Sequence, residues 1–173
     1  MSTAVLSIGS NLGDRLGYLQ SAVDALGPVL VSVSGVYETA PWGPVEQDDY
    51  LNAVLVVSDD TRAAVDWWTA AQELEQAAGR ERDVRWGPRT LDVDIVQVLG
   101  PGGDAVVSET PELVLPHPRA AERAFVLVPW ADAEPDAVLA GHGRVVDLLA
   151  ALPADERAGV RRREDIALTV ARP

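Results

Sequence analysis

Apolar and polar positions along this chain fall into short, distinct patterns. TAVLSI (3–8) is a brief apolar run that predicts a strand, and GSNLGD after it reads as a turn. Leu16, Leu19, Ala22, Val23 and Leu26 then recur at helical spacing, so a helix is expected from Arg15 to Leu26, capped by Asp14 and ended by Gly27-Pro28. VLVSVSGVY is β-branched and alternating and predicts a second strand; YLNAVLVV predicts a third. The connection between them, ETAPWGPVEQDD, has two prolines, a glycine and several acids, and its length is of the kind that usually serves function. Thr61 is expected to cap a helix of about 16 residues carrying Val65, Trp68, Ala71, Leu74 and Ala78, with Gly79 as its stop.

The fourth strand is expected in RWGPRTLDVDI (85–95), followed by a GPGGD turn. Beyond it come a proline-bounded extended piece, a short helix near 119–124, a further apolar run, a late helix in VVDLLAAL and a last strand in IALTV. The order β-α-β-β-α-β over the first hundred residues predicts an α+β fold. Its core would be ferredoxin-like, an antiparallel sheet with helices on one face, with a C-terminal extension. No repeat or linker divides the chain, so residues 1–173 are expected to form a single domain.

Composition narrows the function classes. Fourteen basic residues against 27 acidic ones leave a formal net charge of −13, which repels nucleic acid and anionic membranes. No apolar run approaches the roughly 18 residues of a membrane span, and the N-terminus has no basic signal region. There is no cysteine, and every basic residue is arginine. These absences exclude thiolate chemistry, a Walker A lysine and a Schiff-base lysine. With His117 and His142 the only histidines, a zinc site is not expected either. A cytoplasmic protein fits this balance.

Three clusters hold candidate chemistry. In an extended chain Asp92 and Asp94 share one face while Leu91, Val93 and Ile95 share the other. Like charges side by side repel, so either water screens the pair or a cation lies between them. Arg80, Arg82, Arg85 and Arg89 precede it. They could pair with Glu81 and Asp83, or their guanidinium forks could grip phosphate. Arginines and paired carboxylates together are two halves of a polyphosphate–Mg²⁺ site. Tyr50 and Asn52, two apart on a strand, could stack on and hydrogen-bond a flat heterocycle, or could be ordinary core and strand-end residues. In LPHPRAAERAF, His117 could be structural or catalytic, with Arg119, Arg123 and Phe125 close by.

IGSNLGD, YETAPWGP, DYLNAV, QELEQAAGR, RWGPRTLDVDI and LPHPRAAERAFVLVP, in this order over about residues 4 to 130, resemble the 6-hydroxymethyl-7,8-dihydropterin pyrophosphokinases of folate biosynthesis. The resemblance implies transfer of a pyrophosphoryl group from ATP to the pterin's hydroxymethyl oxygen, with release of AMP. It implies two Mg²⁺ ions held by Asp92 and Asp94, and catalytic roles for Arg82 and Arg89 beside them. It implies a pterin sandwiched by Tyr50 and Phe125, its edge read by Asn52 and by the backbone around Thr39, Ala40 and Trp42. Gln72, Glu75, Arg80, Arg82, Trp86, Arg89, His117 and Arg123 would line the ATP side. The chain departs from the family's usual pattern at Glu112, Val114 and Pro118, where adenosine and ribose contacts are expected.

Overall fold

The structure, a computed structural model, describes residues 1–41, 44, 46–79 and 89–171. Its elements in chain order begin with β1 (Ser2–Ser10), α1 (Arg15–Leu26), β2 (Leu30–Val33), β3 (Tyr37–Thr39), β4 (Tyr50–Asp59), α2 (Ala64–Ala77) and β5 (Asp92–Leu99). Next come β6 (Ser108–Glu109), β7 (Val114–Leu115), α3 (Ala124–Ala133), β8 (Val138–Leu139), β9 (Gly143–Arg144), α4 (Val145–Ala151), α5 (Ala154–Ala158) and β10 (Arg161–Arg162). The main sheet is antiparallel throughout, in the order β10-β3-β4-β1-β5, with β2 also paired to β4.

β1 and β4 are the central strands, and both of their faces are covered, which is why their sequences are nearly unbroken apolar runs. On one face Leu6, Ile8, Ala53, Leu55, Val93 and Ile95 meet Leu19, Val23 and Leu26 of α1 and Trp67 and Ala71 of α2. On the other, Val5, Val54, Val56 and Val96 meet Val126, Leu127 and Trp130 of α3, with Val145 of α4. Helices therefore cover both faces, not the one expected, because the apolar run at 124–131 is a helix that packs on the second face. The second face turns polar toward one end: Ser7 lies opposite Asp94, Gly9 opposite Asp92 and also opposite Asn52. That end holds the chemistry.

Local signals explain several boundaries. Asp14 accepts from Gly17 N at 3.0 Å and starts α1 as expected. Thr61 does not cap α2; its hydroxyl donates to Asp59 at 2.7 Å, and the Asp66 carboxylate instead accepts from Ala63 N at 2.7 Å. The buried face of α2 centres on Trp67 and Ala71, while Val65 is exposed. Gly79, at φ +68°, ends the helix region as only glycine does readily. The expected second strand divides into β2 and β3 around Ser34, whose hydroxyl accepts from Val54 N at 2.9 Å in place of a ladder bond. IALTV is not a strand; Thr169 is tied to Gln20 of α1, and the last strand is β10.

Candidate active site

β5 delivers Asp92 and Asp94 to the second face while Leu91, Val93 and Ile95 are buried beneath the first, as strand parity requires. Because β5 is an edge strand of the main sheet, the segment after it can fold back alongside: Val106 N donates to Val98 O at 2.8 Å and His117 N to Val96 O at 2.7 Å. This return brings His117 beside the aspartates. A cleft of about 320 Å³ lies between β5, α2 and the returning segment, lined by Trp68, Gln72, Glu75, Asp92, Asp94, Glu112, Val114 and His117 among others. Glu75 is buried, and its Oε2 accepts from Val93 N at 3.1 Å, which fixes a carboxylate at the cleft floor.

The His117 imidazole accepts at Nδ1 from Arg119 N at 3.2 Å, so its neutral ring carries the proton on Nε2. Burial, then the charges of Arg123 and Arg119, push its pKa down to about 4, against the opposing pull of Asp92. His117 is therefore an uncharged N–H donor at neutral pH. The sign of the linkage follows. The unfolded chain protonates near 6.5 while the folded ring resists to about 4, so this group destabilises the fold progressively as pH falls through that window. The stability difference between wild type and His117→Gln should change across that interval and be flat above it, measured by denaturation midpoints. A difference independent of pH would show that His117 is not held neutral.

A second hollow, of about 160 Å³, is lined by Thr39, Ala40, Ala124 and Phe125 together with Asp155, Glu156, Gly159 and Val160. Next to Thr39, Asn52 is buried and donates from Nδ2 to Thr39 Oγ1 at 2.7 Å. Gly9 makes room for this arrangement, since a Cβ there would stand 2.9 Å from Asn52 Oδ1 and 3.3 Å from Tyr50 Cδ1. Arg123 joins the two hollows. Its guanidinium lies 3.6 Å from Asp94 Oδ2 and 5.5 Å from the centre of the Phe125 ring.

Thus Gln72, Glu75, Asp92, Asp94 and His117 gather at the cleft, and Thr39, Ala40 and Phe125 at the smaller hollow. Trp42, Arg80, Arg82, Arg85 and Trp86 lie outside the described residues. Asn11 went unrecognised in the sequence, where GSN reads only as a turn. It is buried; its Oδ1 accepts from Arg89 N at 2.8 Å, and its own N donates to Arg89 O at 3.0 Å. Its Nδ2 donates to Gln47 Oε1 at 2.8 Å and Asp48 O at 3.0 Å. One amide therefore ties the approach to Tyr50 to the approach to Asp92. Asn11→Ala should cost about 1–3 kcal/mol in chemical denaturation, the penalty for orphaning buried polar groups, and should lower activity as well. A stability loss near zero would mean these bonds do not hold the site together.

Residues 5–135 match the family model described as 7,8-dihydro-6-hydroxymethylpterin-pyrophosphokinase. The chain is 52% identical over 169 residues to a 2-amino-4-hydroxy-6-hydroxymethyldihydropteridine pyrophosphokinase of Mycobacterium leprae, covering 93% of this chain and 88% of that one. It is 41% identical over 146 residues to the like-named protein of Methylorubrum extorquens, covering 82% and 89%. Among solved structures, wild-type Plasmodium falciparum HPPK-DHPS with SDX-DHP matches with a TM-score of 0.63 at 14% identity, over 87% of this chain. The chain spans 43% of that longer protein, and the likeness there is one of fold.

Proposed function

The chain belongs to the 7,8-dihydro-6-hydroxymethylpterin-pyrophosphokinase family, and we propose that its cleft holds ATP and its smaller hollow the pterin. It is an ATP-dependent pyrophosphokinase of folate biosynthesis. The pterin's hydroxymethyl oxygen attacks the β-phosphorus of ATP, the bond from that phosphorus to the α–β bridging oxygen breaks, AMP leaves, and the hydroxyl proton is released. Negative charge shifts toward the bridging oxygen as that bond breaks, so donors fixed at the seam between the hollows lower the barrier.

The observation that carries this assignment is the seam itself. Asp92 and Asp94 stand at the cleft, and Arg123 reaches from Asp94 to the ring of Phe125 at the other hollow. Among the described residues no group of three or more histidine, cysteine or acidic side chains could hold a metal. Two adjacent carboxylates without a closed cage nevertheless suit Mg²⁺, which keeps waters and takes substrate phosphates as its remaining ligands. Asp92 and Asp94 would hold two such ions, which offset triphosphate charge when bound. Arg123 and Arg89 would meet the phosphates, and His117 would donate Nε2–H to a nucleotide oxygen without adding charge. Gln72 and Glu75 would face the nucleotide, while Tyr50 and Phe125 would sandwich the pterin beside Asn52, Thr39 and Ala40. Arg80, Arg82, Trp42 and Trp86 keep the roles that the family resemblance implies.

The sheet order β3-β4-β1-β5 supports a ferredoxin-like core, with the chain after about residue 135 as its extension and the whole as one domain. Among the described residues no helix is long and apolar enough to cross a membrane. A monomer working in the cytoplasm on these two small molecules completes the proposal. Incubation with ATP, Mg²⁺ and the hydroxymethyl dihydropterin should yield AMP and the pterin diphosphate by mass. ADP with a pterin monophosphate, or no pterin product, would overturn it.

A further inference from the structure

The arginine triplet 161–163 takes part in none of the chemistry above, yet the fold brings it to the wall of the pterin hollow. Gly159 and Val160, just before the triplet, line that hollow with Asp155 and Glu156, alongside Thr39 and Phe125. The chain then adds a strand to β3: Arg161 pairs with Glu38 and Arg162 with Tyr37, and Arg163 N donates to Val36 O at 2.8 Å. β3 is the strand that ends in Thr39.

The side chains grip both flanks of the pterin position. Arg161 Nη2 lies 3.4 Å from Glu38 Oε1 and 3.1 Å from Asp49 Oδ2, and Arg163 Nη1 lies 2.9 Å from Glu38 Oε2. Glu38 directly precedes Thr39, and Asp49 directly precedes Tyr50. Arg15 of α1 joins the same node, 3.0 Å from Glu38 Oε2 and donating to Asp49 O at 2.9 Å. With its side chain only 16% exposed, Glu38 holds its partners where salt screens them less than at an open surface. Arg162 reaches Asp132 Oδ2 on α3 at 3.4 Å, the helix that carries Phe125. Gly35 accommodates it, since a Cβ there would stand 3.0 Å from the guanidinium.

We propose that residues 155–163 form the closing wall of the pterin site, with Val160 packing against the edge of the ring and Arg161 and Arg163 positioning Thr39 and Tyr50 through Glu38 and Asp49. This rests on assigning the smaller hollow to the pterin. One apolar side chain, a glycine backbone and two carboxylates suit the edge of a flat ring that carries both C–H positions and N–H donors.

Calorimetry on the full chain tests this, using the hydroxymethyl pterin with Mg²⁺ and a non-hydrolysable ATP analogue. The double variant Arg161→Ala/Arg163→Ala, and separately Val160→Asp, should weaken pterin binding about tenfold or more while affinity for the analogue alone stays unchanged. Arg163→Lys should bind pterin more tightly than Arg163→Ala, and Arg144→Ala, on the exposed β9, should match wild type. If the double variant does not fold, Val160→Asp and the Arg163→Lys comparison decide. Folded variants that bind pterin as wild type does, that lose both ligands equally, or that bind pterin more tightly overturn the wall. A wild type that forms no AMP sinks the pyrophosphokinase assignment itself; an active wild type with unmoved variants sinks only this inference.

Discussion

Replacing Asp92 or Asp94 with alanine is expected to lower kcat by at least ~10²-fold, the scale of losing one fixed electrostatic contact to a transition state. Folding should survive both changes, because the two carboxylates are only partly buried and repel each other across one residue of strand. Asp94→Ala also removes a partner of Arg123, 3.6 Å away. Ile95→Ala on the opposite face should behave inversely. It removes a side chain from the packed core and should cost about 2–5 kcal/mol in stability before it affects chemistry. Activity titrated against Mg²⁺ adds a second readout, since either aspartate variant should need more of the ion for its residual rate. Near-normal rates in both variants at ordinary Mg²⁺ would remove the metal from Asp92 and Asp94.

The parity that separates Asp92 and Asp94 from Ile95 could be read in the sequence, because alternation along a strand is a local property that needs no partner. The same holds for α1, whose cap and stop lie within a few residues of its apolar stripe. Features that depend on distant partners could not be read. Asn11 matters through the backbone of Arg89, 78 residues away. β10 exists because the edge of β3 is there to receive it, whereas IALTV has strand-like residues and no edge to join. α3 was hidden for another reason. It contains Pro129 and is apolar nearly all round, so neither a polar face nor an unbroken backbone pattern marked it as a helix. Helices on one face alone follow from the β-α-β-β-α-β order; α3 lies outside that order and covers the second face.

Phe125→Ala should weaken pterin binding about 10- to 100-fold, corresponding to the roughly 1–3 kcal/mol that stacking of a flat base on an aromatic ring contributes. Phe125 sits at the start of α3 and lines the smaller hollow, and it packs only partly against the core beneath, so folding should persist. Its ring also carries the Arg123 guanidinium, so a smaller loss of nucleotide affinity should accompany the loss of pterin. Phe125→Leu separates the two causes: it keeps apolar volume against the core but lacks the flat face, and should retain stability without restoring pterin affinity. Tyr50→Phe keeps its face and should bind pterin nearly as well as wild type, whereas Tyr50→Ala should resemble Phe125→Ala. The asymmetry between ligands is the decisive measurement. A core role for these rings would lower stability and weaken both substrates together, and that outcome would move the pterin elsewhere.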